Sequence, residues 1–300
     1  MTSNGPLFVT LRVLQALGAS AMLVATFATV RDVYANSPES SVIYSLFGSM
    51  LAFVPALGPI LGAVIAMNFG WRAIFVMLGI FGLFAFCHAL LRWHETRPSR
   101  QSRQSPVFWS ILGSSSFWIY TLGFSTAMGA FFVFFSTSPR VLIERLGLSQ
   151  IIFSAIFATV AFVMIITTRF ARFFVSRWGV EGSLIRGLFV ILMGACILTG
   201  CTLLTEPSIL TFVLPMWLIA VGMVLVVSVT ANGALHDFSN AAGTAVALYY
   251  SVQSLIVGIV GTIVIVTLPG YSAWPLIAYC LILVTVTLFV MAANRLMRRS

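Results

Sequence analysis

Arg12 is the one charged residue set well inside an apolar run, in Leu11-Arg12-Val13-Leu14-Gln15-Ala16-Leu17-Gly18-Ala19. An arginine at the centre of a bilayer costs about 2.5–3.5 kcal/mol on insertion scales, so it must face protein, a water-filled cavity or the interface. Two uses follow. Arg12 lies several residues inside one end of its segment, so its side chain can snorkel to the headgroups as an anchor. Alternatively, the guanidinium is held within the membrane for a functional role. No acid stands beside it: the carboxylates Asp32, Glu39, Glu95, Glu144, Glu181, Glu206 and Asp237 all fall in expected loops or at segment ends. His88 is the only histidine inside an apolar segment, and it reads as interfacial.

Uncharged polar and aromatic residues inside apolar segments form the second group. Each polar one needs a hydrogen-bond partner when water is absent. Asn232, Tyr249 and Gln253 are of this kind. Tyr120, Phe124 and Met128 lead into the dense run Met128-Gly129-Ala130-Phe131-Phe132-Val133-Phe134-Phe135. Such side chains can line a cavity for an amphipathic molecule, or they can pack and face lipid. Other chemistries are absent. Cys87, Cys196, Cys201 and Cys280 lie in apolar segments without metal-ligand spacing and read as small buried side chains. There is no HExxH, no pair of intramembrane aspartates and no Ser–His arrangement. No enzyme, metal or cofactor is expected.

The elements that position these residues are membrane spans. The 300 residues are 60% hydrophobic and 8% charged, with mean hydropathy +1.07; a soluble domain carries about 25% charged residues. Nine apolar segments run near Leu7–Val30, Val42–Asn68, Ala73–Trp93, Phe117–Ser138, Ile151–Thr168, Ser183–Leu204, Ile209–Thr230, Ala241–Leu268 and Ala273–Ala293. They are continuously apolar rather than alternating, which predicts helices and excludes a barrel. Every basic residue counted in the net +9 is arginine. The arginines sit between spans, so they point to topology rather than to nucleic acid. Twelve fall on one side, with Arg92, Arg97, Arg100, Arg103, Arg169 and Arg172 among them, against Arg72, Arg140 and Arg145 on the other. By the positive-inside rule the rich side is cytoplasmic, placing the amino terminus outside and the carboxyl terminus inside. The first six residues carry no positive charge and do not read as a signal peptide. Residues 94–108 are polar, basic and contain Pro98 and Pro106, as a cytoplasmic linker would be. They divide the chain into 1–93 with three spans and 109–300 with six.

The second segment contains Val54-Pro55-Ala56-Leu57-Gly58-Pro59-Ile60-Leu61-Gly62-Ala63-Val64. Pro59 lacks a backbone donor and predicts a bend. Gly58 and Gly62 lie one turn apart, a stripe on which another helix can pack closely. That spacing is also compatible with ordinary helix packing.

This string resembles the antiporter motif in the fifth helix of drug exporters of the major facilitator superfamily, and the following Gly70-Trp71-Arg72-Ala73-Ile74-Phe75 resembles a turn common there. Arg12, Gln15 and Gly18 resemble the fourth-helix motif, whose arginine is implicated in proton transfer. Arg169-Phe170-Ala171-Arg172 through Gly179 looks like a degenerate copy of the family's cytoplasmic Gly/Asp/Arg motif. Asn232 with Gly233-Ala234-Leu235, and Gly243-Thr244-Ala245 through Tyr250 with Gln253, resemble tenth- and eleventh-helix signatures of the Bcr/CflA drug-resistance subfamily. The likeness runs from the fourth to the twelfth helix of its phenicol exporters. It implies an all-α integral membrane fold, a helical bundle with nine of twelve transmembrane helices, and a chain truncated at its amino end. It also implies a bacterial inner-membrane location, monomeric when complete, and proton-coupled antiport of small amphipathic drugs by alternating access. Arg12, Gln15 and Gly18 would serve coupling or gating. Pro55, Gly58, Pro59 and Gly62 would form a hinge or packing motif, and Tyr120, Phe124, Met128, Asn232, Tyr249 and Gln253 the substrate cavity. The alternative expectation is a non-transporting polypeptide, or a subunit to which a partner must supply three helices.

Overall fold

A computed structural model describes residues 4–34, 57–92 and 107–297. In hydrocarbon an apolar run has no water to bond its backbone, and a helix satisfies every N–H within its own segment. The described residues accordingly form helices and helical turns, with no strand among them. In order these are α1 (Gly5–Tyr34), α2 (Leu57–Phe69), α3 (Trp71–Arg92), α4 (Val107–Leu112), α5 (Ser115–Pro139), α6 (Gln150–Leu204), α7 (Ile209–Leu235), α8 (Ala242–Thr267) and α9 (Trp274–Met297). Seven of them are long and apolar enough to cross a membrane. The chain is an all-helical, multi-pass membrane protein.

At 55 residues, α6 is too long to be one span; straight, it would reach roughly 80 Å. Gly179 breaks it at φ 71° and ψ 179°, a backbone region open to glycine and strained for other residues. The limbs 150–178 and 180–204 correspond to two of the expected segments. The first is longer than the sequence pattern marked, because Arg169, Arg172 and Arg177 continue the helix past its apolar part.

The chain divides into two compact units, Met1–Arg103 and Gln104–Ser300. In the first, Gly70 at φ +79° ends α2, and its N–H bonds the Ala66 carbonyl at 3.0 Å. Phe8 of α1 meets Trp71 and Phe75 of α3 edge-on, at 6.5 and 5.8 Å between ring centres. Residues 42–56, including Pro55, lie outside the described residues. Pro59 is the third residue of the described α2. The bend expected there falls at the edge of what is described.

In the second unit, serines start the helices. Ser114 and Ser149 accept from the backbone N–H groups of Phe117 and Ile152. Ser208 and Thr211 bond reciprocally as a capping box, leaving fewer orphan donors at the head of α7. The second limb of α6 lies almost backbone-to-backbone on α7. A Cβ built at Gly222 would stand 2.7 Å from the Gly187 carbonyl oxygen and 2.8 Å from the Ile191 nitrogen. Around that contact the core is apolar: Leu184, Leu188, Ile191, Met216, Ile219 and Met223 are buried. Phe134 of α5 stacks on Phe157 and Phe212 at 5.4 and 5.8 Å. Helix α5 packs against α7, α8 and α9.

Candidate functional site

The Arg12 group lies in the first unit. Residues 12 and 15 are one turn apart on α1, so their side chains share a face. Arg12 donates from Nη1 to Gln15 Oε1 at 2.6 Å, and its guanidinium carbon stands 5.1 Å from the centre of the Phe75 ring. The charge is therefore held by a neutral amide and an aromatic face, with no carboxylate in that set. A cation over an exposed aromatic face is worth about 0.5–1 kcal/mol, and more when desolvated. Phe75 lies near the start of α3, at the end of the Gly70–Phe75 string, so two separately noticed motifs meet through this contact. The sequence holds a signal for it, because Arg12 and Phe75 each lie a short way in from the same expected end of their helices. Gly18 is exposed and makes no close contact. Gly58 and Gly62 likewise have no described atom within 4 Å of a built Cβ. Among the described residues, close helix approach occurs at Gly222 and Gly187 instead.

The second group assembles on α5, α7 and α8. Phe124 and Tyr249 stack at 4.9 Å, 17° from parallel. Both are buried in a cluster with Phe117, Ile111, Ala234 and Ala245, against which Tyr120 and Met128 pack. Tyr249 donates its hydroxyl hydrogen to Thr230 Oγ1 at 2.9 Å. Tyr120 lies flat against Gly233, where a built Cβ would stand 2.4 Å from its ring. Ser116 donates to the Gly233 carbonyl at 3.1 Å. Four of the six expected cavity residues thus lie in one packed cluster. Gln253 is one turn beyond Tyr249 on α8 and buried, whereas Asn232 is exposed. Tyr250 was not singled out in the sequence. Its ring meets Phe124 and Tyr249 edge-on at 5.8 and 5.3 Å. Thr230, the partner of Tyr249, was also missed; a threonine in an apolar helix carries no distinguishing sequence signal.

At the arginine-rich end, Arg295 donates from Nε and Nη2 to one oxygen of Glu181, at 2.9 and 2.7 Å. This ties the turn after Gly179 to the end of α9. No group of three or more metal-ligating side chains occurs among the described residues.

The profile of the Major Facilitator Superfamily matches residues 1–262. A chloramphenicol resistance protein of Pseudomonas aeruginosa is 45% identical over 299 residues, covering 98% of this chain and 71% of that protein. The chain belongs to the Major Facilitator Superfamily. Multidrug resistance protein MdtL of Salmonella heidelberg, strain SL476, is 29% identical over 252 residues, covering 81% of this chain. The same protein of Salmonella newport, strain SL254, is 29% identical over an equal length. The chain spans 61% of the length of these MdtL relatives. Membership of this superfamily indicates a transporter rather than an enzyme.

Proposed function

We propose that this chain carries out efflux of small amphipathic drugs across the bacterial inner membrane, with chloramphenicol and florfenicol as substrates and protons as the counter-ion. The observation that carries the reading is the 45% identity, over nearly the whole chain, to a protein named for chloramphenicol resistance. The charge distribution supports it. No Asp, Glu, Lys or Arg occurs in α5, α7 or α8, so the aromatic cluster suits an uncharged ligand. Residues 1–93 act as part of one half of the transporter and 109–300 as the other, joined by the cytoplasmic linker 94–108. The drug site is exposed alternately to the two sides of the membrane. Arg12, with Gln15 and Gly18, gates or couples that exchange, and Pro55, Gly58, Pro59 and Gly62 provide the hinge. Tyr120, Phe124, Met128, Asn232, Tyr249 and Gln253 belong to the drug-binding region. The amino terminus is outside, the carboxyl terminus is cytoplasmic, and the complete transporter is a monomer.

The test is drug accumulation in cells expressing the protein at known membrane levels, with and without a protonophore. Lower accumulation that the protonophore reverses is the expected result. Lower accumulation insensitive to the protonophore would overturn proton coupling. Unchanged accumulation would overturn export by this chain.

A further inference from the structure

Tyr249 and Tyr250 are neighbours in sequence with opposite situations. Tyr249 is buried and its only donor is committed to Thr230. Tyr250 is 45% exposed, and its ring is braced at near right angles by both Phe124 and Tyr249. The brace fixes the ring while one side stays open. Its hydroxyl has no hydrogen-bond partner among the described residues.

Gln253 follows Tyr250 by three residues, so the two share a face of α8. It is only 9% exposed. Its Oε1 accepts a long 3.4 Å bond from Ser254, and its amide hydrogens have no acceptor among the described residues. A nearly buried amide donor left unmatched inside a membrane is costly, and lipid chains offer it nothing. One rigid, half-open aromatic ring and two unspent donors therefore lie within one turn of α8, in a region whose three helices bear no charge.

We propose that Tyr250 and Gln253 form a recognition subsite for neutral aryl compounds bearing oxygen acceptors such as carbonyl or nitro groups. The substrate ring packs on Tyr250, and its acceptors take the phenol and amide hydrogens. Tyr249, Phe124 and Thr230 act behind them as the brace. A lipophilic cation can also use an aromatic face, but it has no use for two hydrogen-bond donors and finds no carboxylate there. This subsite rests on the export reading above and sharpens it: selection is by acceptor groups rather than by charge.

The experiment is equilibrium binding of chloramphenicol and of tetraphenylphosphonium to the purified full chain and to Tyr250→Phe and Gln253→Leu. Tyr250→Phe keeps both ring contacts and removes only the hydroxyl; it serves as the check if Gln253→Leu disturbs folding. Each variant is expected to weaken chloramphenicol binding roughly three- to tenfold, the loss of one neutral hydrogen bond. Binding of the cation should change less than about twofold, as no donor acts on it. Wild-type chloramphenicol affinity in both variants would overturn the subsite and leave drug export standing. Equal weakening of both ligands would overturn selection by acceptors. A wild-type chain that binds no chloramphenicol would sink the export reading itself, and the subsite with it.

Discussion

Replacing Gly222 by alanine puts the central helix contact of the second unit to a direct test. The added methyl would stand 2.7 Å from the Gly187 oxygen and 2.8 Å from the Ile191 nitrogen, where ordinary contact begins at 3.4 Å. Both obstacles are backbone, so no side chain can swing away. The second limb of α6 and α7 must part by roughly 0.7 Å, and a gap of that size forfeits about a quarter of each dispersion contact across it. A buried side chain makes 40–60 such contacts at ~0.1–0.2 kcal/mol each, so it loses about 1–3 kcal/mol. For Ile191 and Val226, both at this contact, the sum is roughly 2–6 kcal/mol before the helices tilt to relieve it. Overpacked cores settle at about 1–3 kcal/mol after such relaxation. Alanine's better helix propensity returns up to about 1 kcal/mol. From the middle of the overpacking range, about 2 kcal/mol, the net loss is about 1–2 kcal/mol, a melting temperature lower by about 2–8 °C for the detergent-solubilised chain. Gly58→Ala is the control, because no described atom lies within 4 Å of its built Cβ; it should melt within a degree or so of wild type, or slightly above it. Equal melting of Gly222→Ala and wild type would refute the packing, as would a loss confined to Gly58→Ala.

Three further outcomes are expected. Arg12→Lys keeps the charge but loses the planar fork that bonds Gln15 and covers Phe75, so drug efflux should fall by about tenfold or more; wild-type efflux would make Arg12 an interfacial anchor. Cysteines introduced at Ser102 and Ser300, in a background without native cysteines, should resist impermeant thiol reagents in intact cells, and labelling from outside would reverse the orientation. A double-mutant cycle on Glu181 and Arg295 should give a coupling below about 1 kcal/mol, because both side chains are more than half exposed; a larger value in urea or thermal melts would mean the pair is desolvated in the membrane.

Helix type was legible because continuous apolar runs admit one solution in lipid. Packing was less so. A glycine in an apolar helix looks the same whether another helix lies on it or not: Gly58 and Gly62, spaced for close approach, have no described neighbour, while Gly222 and Gly187, thirty-five residues apart in sequence, touch through their backbones. A similar limit governs the aromatic group. Residue type marked Phe124, Tyr249 and Gln253, yet exposure separates Tyr249 from Tyr250, and exposure depends on which face of α8 meets α5 and α7. The sequence cannot report that face, since every face of α8 is apolar enough for lipid. The partners of Arg12 were legible in part, since Gln15 stands one turn away in its motif and Phe75 lies near the same expected end of its helix. An aromatic face and an amide can hold a cation without the penalty of desolvating a second ion.

The two groups differ in chemistry in a way that bears on how such a transporter works. In the first unit the Arg12 cation is held by Gln15 and the face of Phe75. The Phe124–Tyr249–Tyr250 group in the second unit is neutral and held by ring contacts and one hydrogen bond, so under the subsite proposed above its fit to a ligand would depend on shape and acceptors rather than on ionisation. A single site asked to do both would tie drug choice to protonation, because each new substrate would alter the desolvation of the charge. Keeping charge out of α5, α7 and α8 removes that tie. On the export proposed above, changes at Tyr250 or Gln253 would shift which drugs are taken without altering the charge held by Gln15 and Phe75.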